Sequence, residues 1–188
     1  MKQPILQDQS NLSAKLVLAV GLVILAASTR LMPHPANFAG IAAVALFGGA
    51  LLPRAWALTL PLASMIVSDL IIGLHPLIFF TWGTFAAIAF LSSKYLRKVT
   101  AFSVVGASVG ASLLFYLVTN FAVWLQGDMY PMTLQGLMHC YYMAIPFFRG
   151  TLFGDLVYSG LLFGTYALAY RYSFPGQKAF SGKLQKTA

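Results

Sequence analysis

Residues 116–155 read YLVTNFAVWLQGDMYPMTLQGLMHCYYMAIPFFRGTLFGD, and the rest of the chain is interpretable from them. An apolar stretch carries Asn120 and Trp124 and gives way to a polar, aromatic connection. Ile145-Pro146-Phe147-Phe148-Arg149-Gly150 then leads into a second apolar stretch that carries Asp155. A cation and an anion thus stand six residues apart at the mouth of an oily segment, in a chain that is only 9% charged.

That scarcity sets the class. The 188 residues are 59% hydrophobic, with a mean hydropathy of +0.78. Ordinary soluble domains are about a quarter charged, and a chain of this size cannot hide so much apolar surface inside itself. A membrane-embedded helical domain is expected, with lipid covering its outside. The net charge of +8 suggests nucleic acid only if it forms a stripe with interleaved aromatics. Here the basic residues sit in short segments between apolar runs, so no nucleic-acid partner is expected and the charges read as topology signals. Cys140 is the only cysteine, which excludes an internal disulfide and any multi-cysteine metal site.

Working outward, six apolar runs emerge at 12–29, 38–52, 55–74, 77–91, 100–125 and 152–170. They follow a polar segment at 1–11 and precede a basic tail at 171–188. The competing reading of the first run is a signal peptide ending at Ala26-Ala27-Ser28, but equally apolar runs follow it. The second run is short against the roughly 20 residues of a span. Residues 126–148 are expected to be a long connection containing a short interfacial helix at 133–143, whose motion would open and close a site. With six spans, Lys2, Lys15, Arg54, Lys94, Arg97, Lys98, Arg171, Lys178, Lys183 and Lys186 share one side. Only Arg30 and Arg149 fall on the other. The basic-rich side is cytoplasmic, so the expectation is an all-α, six-span bundle in the cell (inner) membrane with both termini in the cytoplasm.

The polar inventory then gathers at the outer end. Asp69 interrupts an apolar run, at a cost of about 3 kcal/mol if mid-helix, and so is expected to face a partner or a wet cavity; solvation near the interface is the alternative. Six residues do not make Arg149 and Asp155 neighbours on one helix. Irregular backbone at 146–150 would fold Arg149 inward to clamp an anionic group, since its planar fork donates two parallel hydrogen bonds. Asp69 and Asp155 would orient it or meet cationic and donor groups. A purely structural pair is the alternative. Ser108, Ser112, Tyr116, Asn120 and Trp124 recur every fourth residue and form one stripe. Its serines read as interhelical packing residues, and Asn120 and Trp124 as site residues. His34, Asn37, His75 and Tyr130 complete the candidates. Without HExxH or CxxC spacing, the histidines read as hydrogen-bonding rather than metal-binding groups, and no metal or cofactor is expected. Gly106/Gly110, Gly150/Gly154 and Gly160/Gly164 give GxxxG spacings that mark close packing. No GxSxG, Walker loop or paired carboxylates are present, so no enzyme activity is expected.

At RLMPHPANF (30–38), SDLIIGLHP (68–76), LVTNFAVW (117–124) and CYYMAIPFFRGTLFGDLVYSGLLFG (140–164) the chain resembles a bacterial family of unknown function that carries a transport-protein label. That family is similar to the substrate-binding (S) components of energy-coupling factor transporters. The resemblance implies six helices with cytoplasmic termini and capture of a vitamin-like or other small solute near the outer surface. It also implies pairing with a transmembrane coupling subunit and ATPases. It points to His34, Asn37, Asp69, His75, Asn120, Trp124, Tyr130, Arg149 and Asp155 as substrate-binding residues. Many S components dock through an AxxxA pattern in the first helix; this chain has Ala19, Val23 and Ala27 there. A ligand-free membrane scaffold, and an intramembrane enzyme using His34 with Asp69 or Asp155, are the rival readings.

Overall fold

The computed structural model describes residues 12–33, 35–96 and 98–173. They form six helices and, among the described residues, no strand: α1 (Leu12–Leu31), α2 (Ile41–Leu51), α3 (Arg54–Ile72), α4 (Ile78–Tyr95), α5 (Ala101–Gln126) and α6 (Leu134–Ser173). From α2 onward the connections are short, so each helix packs on the next.

The second helix organises the bundle. Its sequence IAAVALFGGAL has no polar face, and a helix that is apolar all round must be enclosed. Residues Ile41 to Gly49 are all buried, and the helix touches each of the other five. Eleven residues rise only about 16 Å, so α2 occupies part of the bundle's depth. Small residues let its neighbours close in. A Cβ on Gly49 would collide with the Ala89 carbonyl oxygen of α4, and Ser92 of α4 donates a 2.7 Å hydrogen bond to the Leu46 carbonyl.

The chain enters α2 through residues 35–40, which are held from both sides. Thr29 Oγ1, on α1, accepts the Gly40 N–H at 2.9 Å while donating to the Ala26 carbonyl at 2.7 Å. Thr29→Val keeps the shape and removes both bonds; we expect a loss of about 1–2 kcal/mol, read as a lowered unfolding midpoint in detergent. On the other side lies α6. A Cβ on Gly150 would strike the Ala36 carbonyl oxygen, and one on Gly154 would lie 3.1 Å from Phe38 Cα. The Gly150/Gly154 spacing therefore receives loop backbone. Gly106, Gly110, Gly160 and Gly164 meet nothing within 4 Å.

Two expectations are corrected. The long 126–148 connection with a separate 133–143 helix does not exist: a turn at 127–133 leads directly into α6, which runs 40 residues. Pro146 lies inside it. The proline removes the hydrogen bond to the Tyr142 carbonyl, yet the helix continues through it. Hence the irregular 146–150 backbone, and the moving connection built on it, fall away.

Polarity runs inside out. Ser64, Ser68, Asp69, Ser108 and Ser112 are wholly enclosed, whereas Phe79, Phe102, Phe153, Leu161 and Leu168 are exposed. Among the described residues, two helical segments, Ala55–Ile72 and Ala101–Gln126, are long and apolar enough to cross a membrane.

Candidate functional site

The end of the bundle that carries the α1–α2 and α3–α4 connections holds a partly open cavity of about 230 Å³. Arg30 from α1, Asn37 and Ala39 from the connection, Ile41 and Ala42 from α2, and Thr151 and Asp155 from α6 line it. Phe85 and Phe115 also line it, and their rings contact each other at 5.3 Å. The wall is therefore apolar and aromatic with a few polar groups, the usual character of a small-molecule pocket. A second, larger groove of about 510 Å³ between α4 and α5 is walled by Leu91, Leu96, Ala107 and Leu114 and includes no charged residue.

Two carboxylates define the cavity's electrostatics, and they are handled differently. Asp69 is fully buried and saturated by protein. Its Oδ1 receives Arg30 at 2.6 Å and its Oδ2 receives the Trp82 indole N–H at 2.7 Å. The same guanidinium nitrogen reaches Ser68 Oγ and, at 3.4 Å, Met65 Sδ. Arg30 is thereby pinned at the cavity wall by α3 and α4. Asp155, 2% exposed, receives only the Ser112 hydroxyl at 2.6 Å and has no cationic partner among the described residues. One turn away on each helix, Ser108 and Ser159 are buried with no hydrogen-bond partner for Oγ among the described residues.

Asn37 is the one non-glycine residue with positive φ among the described residues, at 59°. Asparagine tolerates this left-handed conformation better than most, and such residues cluster at binding sites. It turns the chain so that Phe38 N–H reaches the Pro35 carbonyl at 3.0 Å, and Phe38 then packs on the Tyr158 ring.

The nine candidates separate clearly. Asn37 and Asp155 line the cavity, and Asp69 positions Arg30 within its wall. His34 lies outside the described residues. The other five are placed elsewhere. Arg149 is exposed, outside the cavity lining, and makes no ion pair with Asp155. Regular helix carries it outward, because the backbone at Pro146 never leaves the helical path. His75 Nδ1 accepts the Leu77 N–H at 3.2 Å where α4 begins. Trp124 donates to the Pro131 carbonyl at 2.9 Å and closes the α5–α6 turn. Tyr130 stacks edge-on against His139. Asn120 donates to the Tyr116 carbonyl of its own helix, and its carbonyl accepts the Cys140 thiol at 3.3 Å. The four-residue stripe on α5 is thus largely the seam with α6, tightened by Tyr116 donating to the Tyr141 carbonyl and Tyr141 donating to that of Leu117.

Arg30, Trp82, Thr81 and Thr151 were not among the candidates. Arg30 reads in sequence as a flanking charge and Trp82 as an interfacial anchor. Only the 39-residue separation closed by α1 against α3 makes Arg30 the partner of Asp69.

The model of a family of unknown function, DUF6580, matches residues 10–178. No curated protein and no solved structure matches the chain.

Proposed function

Since the chain belongs to the family of unknown function DUF6580, membership brings no activity with it, and we propose from the cavity's chemistry that the protein is a membrane-embedded binding component that captures a small solute. The observation that carries this reading is a partly open hollow of about 230 Å³ with a buried carboxylate and a pinned guanidinium on its wall, inside a bundle whose outside is apolar. Charged groups are not retained in such surroundings without a partner or a polar guest.

The finer reading extends this. All six helices cross the membrane, α2 as a short helix enclosed by the others. The basic-rich side faces the cytoplasm with both termini, and the cavity end faces outward. On that arrangement the protein works as a transport component similar to an S component, and a coupling subunit with ATPases would supply the energy. Binding is favoured over catalysis because Asp69, one candidate for acid–base work, has both oxygens occupied by Arg30 and Trp82.

Ala42→Phe tests the site directly. Ala42 lines the hollow, so a phenyl ring there fills it. Native mass spectrometry of protein extracted from its own membrane is expected to reveal a small bound mass that the variant lacks, with both proteins equally folded by circular dichroism. Retention of the same mass by the variant would place the ligand elsewhere.

A further inference from the structure

We infer that the cavity selects a compact organic cation, a single ring carrying a short protonated amine arm, with Asp155 as its counter-ion. The inference rests on the binding reading above and adds the chemical class.

Among the described residues, the charges lining the hollow are Arg30 and Asp155. Arg30 is already matched: Asp69 takes it at 2.6 Å, and that carboxylate has no oxygen left over because Trp82 holds the other. The Arg30–Asp69 pair is neutral as a unit. Asp155 is the remaining charge, almost wholly enclosed, with one hydroxyl for company. Removing a carboxylate from water without a cation is costly, and a guest ammonium on the cavity side supplies what the protein omits.

Size and wall fix the rest of the guest. An apolar protein cavity of about 150 Å³ accepts benzene. The present one, about 230 Å³, has room for one ring and a short arm. Phe85, Phe115, Ile41 and Ala42 supply the surface such a ring would cover.

The test uses three isosteric probes on the full-length protein in lipid nanodiscs: benzylammonium, benzyl alcohol and benzoate. Binding is read by calorimetry on wild type, Asp155→Asn and Ala42→Phe. Expected is a preference for benzylammonium over benzyl alcohol of about tenfold or more, the worth of a charge-assisted hydrogen bond. Benzoate should be weakest. Asp155→Asn should erase the preference, and circular dichroism checks that the variant folds. If benzoate binds best, or if Asp155→Asn leaves the preference unchanged, the cationic class is wrong. If benzyl alcohol still binds in a manner that Ala42→Phe abolishes, the cavity stands as a binding site without that selectivity. If no probe binds in an Ala42-sensitive way, both this inference and the solute-binding reading are overturned.

Discussion

Asp69→Leu is expected to destabilise the folded protein by about 3 kcal/mol, one of the two largest effects among the substitutions considered. The substitution strips Arg30 of its only ion-pair partner among the described residues and leaves the guanidinium against Ser68 and Met65 in an apolar wall. Breaking a buried pair from one side costs about 3–5 kcal/mol. The Arg30 side chain keeps 19% of its surface exposed, so the lower end applies. Trp82 loses its acceptor as well, worth about 1 kcal/mol. The double variant Arg30→Met, Asp69→Leu removes both charges together and should recover most of the loss, because uncharged partners of similar volume carry no desolvation penalty. Reversible unfolding in mixed micelles measures all three proteins. Equal midpoints for Asp69→Leu and wild type would mean that the Arg30–Asp69–Trp82 cluster does not hold α1, α3 and α4 together.

The second large effect is steric. Gly150→Ala places a methyl group where the Ala36 carbonyl oxygen lies, and neither the loop backbone nor the helix can step aside as a side chain would. Overpacking of this kind costs about 1–3 kcal/mol. The strain falls on residues 35–40, the segment that carries Asn37 and Ala39 to the cavity, so binding of the proposed solute should drop together with stability. Gly160→Ala is the control. It adds the same methyl to the same helix in open space and should be neutral or stabilising by up to about 1 kcal/mol, since alanine favours helix more than glycine does. Comparable losses from the two substitutions would show that Gly150 serves no close approach.

These two predictions mark how differently residues betray themselves in sequence. Gly150 and Gly160 each belong to a GxxxG pair, and nothing local separates them; only the path of the α1–α2 connection across α6 does. Arg30 and Arg149 present the same difficulty. Both flank apolar runs, and the nearer neighbour of Asp155 in sequence is Arg149. Helical geometry decides against it: continuous helix through Pro146 leaves Arg149 exposed, while α1 packs on α3 and delivers Arg30 to Asp69. His75, Trp124 and Tyr130 were conspicuous as polar or aromatic residues beside turns, and the turns themselves absorb them.

What the amino-acid order determined alone is the helical class and the placing of the apolar runs, because such runs broken by Pro, Gly and charge have few other outcomes. It also singled out Asp69 and Asp155, since a carboxylate amid so many hydrocarbon side chains is conspicuous wherever it points. Which cation answers which carboxylate, how far the last helix extends, and that Asp155 is left facing a hollow were decided by packing. Those facts depend on contacts between residues tens of positions apart, and hydropathy carries no record of distance in space.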